Sequence, residues 1–158
     1  MNQRERGERF HELHRSGTFV LPNAWDAASA AVMVGAGAQA IATTSSGISW
    51  SQGVPDGENL SRDDMIAAIA RIARAVDVPV TGDVEAGYGP ATSDVVATVE
   101  ALIDAGAVGM NIEDRLREAS SLRWWSRRLS GCSGRRTRDR RDLARLTAST
   151  SSFREEAF

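Results

Sequence analysis

Three short apolar runs, "AQAIATT" (38–44), "VPVTGDV" (78–84) and "AVGMNIED" (107–114), are each preceded by a stretch with helical apolar spacing. That alternation restricts the fold more than any other feature of the chain. Strands apolar along their whole length are covered on both faces, and intervening helices supply the crossovers that parallel pairing requires. A shorter run, "TFVLP", stopped by Pro22, reads as an earlier strand.

The helices carry start and stop signals. An amphipathic helix opens the chain over residues 4 to about 16, with Phe10 and Leu13 on its apolar side. "NAWDAASAAVMVGAG" has Asn23 as a cap and Gly35 and Gly37 at its far end. Ser61 caps "RDDMIAAIARIARAV", where Asp63 and Asp64 suit the positive helix start and Met65, Ile66, Ile69, Ile72, Ala73 and Val76 form the apolar stripe. "TSDVVATVEALIDAG" is capped by Thr92 or Ser93 and closed by Gly106, while "SSGISWSQGVPDGENL" reads as a long polar loop. The resulting order, β-α-β-α-β-α-β, fits an open doubly wound sheet or part of a (β/α)8 barrel. No G-x-G-x-x-G follows the first strand, which disfavours a dinucleotide site.

In both architectures chemistry gathers where the strands end. "TTSSG", "GDVEAGYG" and "NIED" stand there. Asp83 and Glu85 are two apart, so an extended chain aims both at one point, and Glu113 joins them if the third and fourth strands are neighbours. A hard divalent cation such as Mg2+ prefers oxygen ligands and is commonly held by one or two carboxylates plus substrate. Each acid alone is better read as a helix cap or a solvated loop residue; the set of three fits a metal site as well as it fits that reading. "TTSSGIS" offers hydroxyls and backbone N–H groups for a carboxylate or oxyanion, or else caps the next helix. Trp50 walls a pocket or covers core, and His11 and His14 read as surface residues.

Charge divides the chain. Residues 1–114 hold 16 Asp/Glu against 7 Arg, and residues 115–158 hold 5 against 12; Lys is absent throughout. Such a reversal marks a boundary, placed here between an N-terminal unit, 1–116, and a basic tail, 117–158. The tail loses the β-α rhythm and is read as irregular. Its Arg, Ser, Gly and Trp content is what a GC-rich gene yields out of frame, so a frame-shifted end is expected. An Arg-rich arm is also the signature of nucleic-acid binding, a reading the acidic first part disfavours. No run approaches the roughly 20 apolar residues of a membrane span, the opening segment is unlike a secretory signal, and Cys132 is the single cysteine. The expectation is a cytoplasmic protein without membrane contact.

"LPNAWDAASA", "AIATTSSGIS", "GVPDGENLS", "PVTGDVEAGYG" and "GAVGMNIEDRL", in this order and spacing, resemble the isocitrate lyase/phosphoenolpyruvate mutase superfamily over residues from about 14 to 116. The resemblance implies a (β/α)8 barrel, of which this chain holds about the first four β-α units. It also implies oligomers that swap a C-terminal helix, a Mg2+ (or Mn2+) cofactor, and a small α-keto or 2-hydroxy acid substrate. C–C or P–C bonds of that substrate are made or broken through an enolate. By motif, Asp83 is implied as the principal metal-site acid, with Glu85 and Glu113 binding the cation directly or through water. Ser45, Ser46 and Gly47 are implied to hold the substrate carboxylate and oxyanion, and Asp56 to be a catalytic acid on a mobile segment over the site. Glu85 stands where many members have Asp.

The chain departs from the family after the fourth strand. Lyases carry a Lys-Cys-Gly-His type segment there, and this chain reads "RLREASSLRWWSRRLSGCSG". True isocitrate or methylisocitrate lyase activity is therefore disfavoured. The expected function is a Mg2+-dependent lyase or mutase impaired in this chain. The alternative is an inactive, partner-binding half-barrel that self-associates through two open parallel sheet edges.

Overall fold

The computed structural model describes residues 1–113 and a strand near the C-terminus, Phe153–Ala157. Helix α1 (Gln3–Leu13) is followed by β1 (Asn23–Ala24), α2 (Ala27–Gly35), β2 (Ile41–Thr43), α3 (Ser45–Ser51), α4 (Arg62–Ala75), β3 (Val80–Asp83), α5 (Thr92–Asp104) and β4 (Gly109–Glu113). Strands β1 to β4 pair in sequence order and in parallel. The fold is therefore α/β on a parallel sheet, as the alternation of apolar runs and capped helices requires.

The pairing register sorts the side chains. Val80 pairs with Ile41, Thr81 with Ala42 and Gly109, and Asp83 with Asn111. Along β3, Val80 and Gly82 face the helices, so Thr81 and Asp83 share the opposite face. A side-chain carbon added at Gly82 would collide with Leu102 and Ile69, so glycine there lets α4 and α5 close onto the sheet. The core between them, Ile41, Met65, Ile69, Ile72, Val80 and Leu102, excludes solvent completely.

Helix α1 closes the other end of the sheet. Asn2 accepts from the Glu5 N–H and Glu5 from the Asn2 N–H, both at 2.9 Å, satisfying two groups that a helix start leaves open. Phe10 packs on Ala40 and Val108, which immediately precede β2 and β4. The Gln3 side chain donates to the carbonyls of Ile103 and Ala107, and Arg6 donates to the Ala73 carbonyl and to Asp77. The start of the chain thus ties down the segments that enter the strands.

Several expectations are corrected. The first strand lies after Pro22 rather than before it: the Pro22 carbonyl accepts from the Ala42 N–H at 3.0 Å, and proline can join a ladder as an acceptor. The second helix is capped by Asp26, not Asn23, with the Ser29 N–H donating to its carboxylate at 2.6 Å. That bond is the first cause of the Asp26 carboxyl being held below its usual range. Ala91, not Thr92 or Ser93, is the cap position of α5, and its N–H donates to Asp94 at 2.9 Å.

The edge of β4 is also covered. Strand β5 (Phe153–Ala157) pairs with it antiparallel, from Gly109↔Ala157 to Glu113↔Phe153. Of the two open parallel edges expected, β4 is closed by the chain's own end, which supplies partners for its backbone groups. The 116/117 boundary, the irregular Arg-rich tail before β5, its frame-shifted origin and Cys132 lie outside the described residues. Among the described residues no helix is long and apolar enough to cross a membrane.

Candidate active site at the strand ends

Asp83, the last residue of β3, is fixed from three directions. One carboxylate oxygen accepts from the Ser45 N–H at 2.9 Å and from the Ser45 hydroxyl at 2.7 Å. The other accepts from the Glu85 N–H at 3.2 Å, and the Asp83 N–H donates to the Thr43 hydroxyl at 2.8 Å. The acid therefore joins the ends of β2 and β3.

The "TTSSG" segment is not a loop. Ser45–Ser51 form helix α3, with Thr44 as its cap accepting from the Gly47 N–H at 3.3 Å. About two turns of Ser, Gly, Ile and Trp carry no readable apolar period, and the Thr44 cap marks the start of the helix. Gly47 is needed sterically, because an added side-chain carbon would lie 2.7 Å from Thr44 and 2.9 Å from Trp25. Two groups assigned to substrate are engaged within the protein: Ser45 holds Asp83, and the Gly47 N–H holds Thr44. The Ser46 hydroxyl lies 3.1 Å from that of Thr44.

Glu85 lies beyond the strand that carries Asp83. The strand ends at Asp83, and at Glu85 the backbone turns into the left-handed region with φ 49°. The premise of an extended chain fails there, because two-residue periodicity holds only while the strand persists. The Glu85 side chain is buried and its carboxylate accepts the backbone N–H of Glu58, while the Tyr88 hydroxyl lies 3.4 Å away. Burial pushes the Glu85 carboxyl up to about 7; the Glu58 N–H opposes this, and the charges of Asp56, Glu58 and Asp83 add to it. Burial also raises the Tyr88 phenol, helped by the charges of Glu85, Glu58 and Asp83.

Asp56 is exposed on the 53–59 loop, near enough for its charge to act on Glu85. Glu113, at the end of β4, donates its N–H to the Glu85 carbonyl at 2.6 Å. Among the described residues no three His, Cys, Asp or Glu side chains are grouped as a metal site, so the expected convergence of Asp83, Glu85 and Glu113 is not preformed. The donor chemistry nevertheless suits a hard cation: oxygen donors, a carboxyl held above its ordinary range by burial with neighbouring acids adding to it, and a buried Asn111 side-chain oxygen without a partner on the strand beside Asp83.

Glu58, Tyr88 and Asn111 escaped the sequence reading. The glycines around "DGEN" and "AGYG" mark sharp turns, but the acid and the phenol between them look like ordinary loop residues. Trp50 is 67% exposed and covers no core. His11 and His14 are surface residues, as expected, with His14 packed edge-on against Phe10 and Phe19. A pocket of about 290 Å3 beside Trp25, Ser51 and Arg71 contains none of the site residues.

The family model for phosphoenolpyruvate phosphomutase matches residues 10–135. The chain belongs to that family. An uncharacterized protein of Mycobacterium tuberculosis (strain ATCC 25618 / H37Rv) is 43% identical over 110 residues, 69% of this chain and 41% of that protein. The 2-methylisocitrate lyase of Escherichia coli (strain K12) is 37% identical over 82 residues, 51% of this chain and 28% of the lyase. The crystal structure of phosphoenolpyruvate phosphomutase from Streptomyces platensis subsp. rosaceus superposes with a TM-score of 0.66 at 28% identity, covering 73% of this chain and 40% of that one. The chain thus spans less than half the length of each of these relatives, in a superfamily of lyases and mutases.

Proposed function

We propose that this chain carries the cation- and carboxylate-handling corner of a partial (β/α)8 barrel, from a lyase or mutase acting on a small α-keto or 2-hydroxy acid. The observation that carries the reading is Asp83: a carboxylate at a strand end, oriented by Ser45 and beside a buried acid of raised pKa. Asp83 would hold Mg2+ or Mn2+, with Glu85 and Glu113 reaching it directly or through water. A bound cation of this kind polarises substrate oxygens and offsets the charge of an enolate. Ser45 keeps Asp83 aimed, while Ser46 and the start of α3 face the substrate carboxylate. Asp56 stands over the corner as the acid or base, and bond making or breaking at carbon or phosphorus follows from the enolate.

The test is thermal unfolding with and without Mg2+. A ligand at about 100 times its Kd stabilises by about 2.7 kcal/mol, so a rise in Tm is expected. Its absence, or its persistence in Asp83→Ala, would refute the cation reading. A second reading, a partner-binding half-barrel without catalysis, is favoured by β1, whose outer edge has no strand beside it among the described residues. Sedimentation showing a stable oligomer that turns over no α-keto acid would favour it.

A further inference from the structure

We propose that Glu58 is a positioning residue: with Glu85 it forms a reciprocal clasp that fixes the 53–59 loop, and Asp56 with it, over the end of β3. The Glu85 carboxylate accepts the Glu58 N–H, and the Glu58 carboxylate accepts the Tyr88 N–H at 2.7 Å. The Tyr88 hydroxyl returns to Glu85 at 3.4 Å. Two loops that are 30 residues apart in the chain are therefore joined by side chains reaching in both directions.

Backbone geometry points to the same three residues. Glu58, Glu85 and Tyr88, with φ of 56°, 49° and 59°, are the three non-glycine residues with positive φ among the described residues. Their neighbours Gly53, Gly57, Gly87 and Gly89 occupy positive φ as glycine, at little steric cost. A plain turn would use glycine at 58, 85 and 88 as well. Side chains are retained in a disfavoured conformation where each one makes the clasp, and such outliers persist when the surroundings hold them.

The clasp determines where Asp56 stands. The 53–59 segment leaves α3 through the Val54 N–H, which donates to Ser49, and returns to the core at Leu60. Between these anchors Asn59 braces the turn by donating to the Asp56 carbonyl at 2.8 Å. The bonds at Glu58 connect this turn to the loop after β3. What the loop delivers rests on the proposed function; the clasp itself does not.

The test compares wild type, Glu58→Gln and Glu58→Ala as full chains. Both variants remove one negative charge, but Gln keeps an oxygen to accept the Tyr88 N–H. Without cation, amide hydrogen exchange at Tyr88 is expected to be slow in wild type and Gln, and several-fold to about tenfold faster in Ala, the range one hydrogen bond gives. The Ile41 and Val108 amides, in the core ladder, should not change. Mn2+ affinity, read by water-proton relaxation, should be several-fold weaker in Ala than in Gln, a difference charge does not explain. If Glu58→Ala does not fold by the Ile41 and Val108 criterion, Glu58→Ser, too short to reach Tyr88, takes its place. Equal Tyr88 exchange in all forms, or equal Mn2+ affinity of Gln and Ala, overturns the assignment. A wild type that binds no Mn2+ but shows the exchange pattern refutes the cation reading and supports the clasp.

Discussion

At the amino ends of the strands, α1 lies over the entrances to β2 and β4 with Phe10 fully packed, a reciprocal cap at its start and no left-handed backbone outside glycine. At the carboxyl ends, a few residues away along the same strands, sit all three left-handed non-glycine residues, a buried glutamate with its carboxyl raised to about 7, and the unpartnered oxygen of Asn111. The amino end has one such exception, the buried Arg6 Nε without a partner, whereas the carboxyl end gathers the left-handed backbone and the buried acid. Departures of this kind cost stability and are tolerated where binding or catalysis requires them. The contrast supports placing the proposed site at the carboxyl ends, on grounds separate from the family resemblance.

Substitutions should separate the two ends. The largest effect is expected from Phe10→Ala: loss of a fully buried phenyl costs about 3–5 kcal/mol, read as a lower urea midpoint, with the Mg2+ response per folded molecule unchanged. A lost Mg2+ response would show that α1 and the strand ends are coupled. The next effect belongs to Glu85. Its folded pKa of about 7 exceeds the 4.5 of the free group, so between these values the folded state binds more protons than the unfolded state. The stabilisation is present below pH 4.5 and is lost as the pH rises through 7. Wild type should lose stability across that window relative to Glu85→Gln, and Mg2+ should reduce the loss; parallel profiles would rule out a raised Glu85. Asp83→Asn should cost about 1.5 kcal/mol without cation, through weakened bonds from Ser45, and abolish the Mg2+ response.

The two ends also differed in how far the sequence could be read. Helix α4, its Ser61 cap and its buried stripe of Met65, Ile69 and Ile72 follow from periodicity, because packing repeats with the helix turn. The order of β2, β3 and β4 follows from apolar runs, and Asp83 from its place at a strand end. The direction of Glu85 was not legible, since glutamate gives no sign of a positive φ and the two-residue rule carried one step too far. The clasp was hidden for the same reason. It joins Glu58 to the loop of Glu85 and Tyr88 through backbone N–H groups, and any sequence has those.

The smallest expected effect tests whether the amino end contributes only stability. Asn2→Ala removes the side-chain acceptor for the Glu5 N–H and breaks the reciprocal cap, at a typical cost of about 1 kcal/mol. Fraying at residues 2 to 5 should loosen the Gln3 bonds to Ile103 and Ala107, so exchange should rise at α1 first and at the end of α5 next. The Tyr88 amide should be unaffected, because the clasp is held from the 53–59 loop and not from α1. Faster exchange at Tyr88 in Asn2→Ala would mean that the clasp depends on the floor of the sheet, and the two ends would then have to be treated as one cooperative unit.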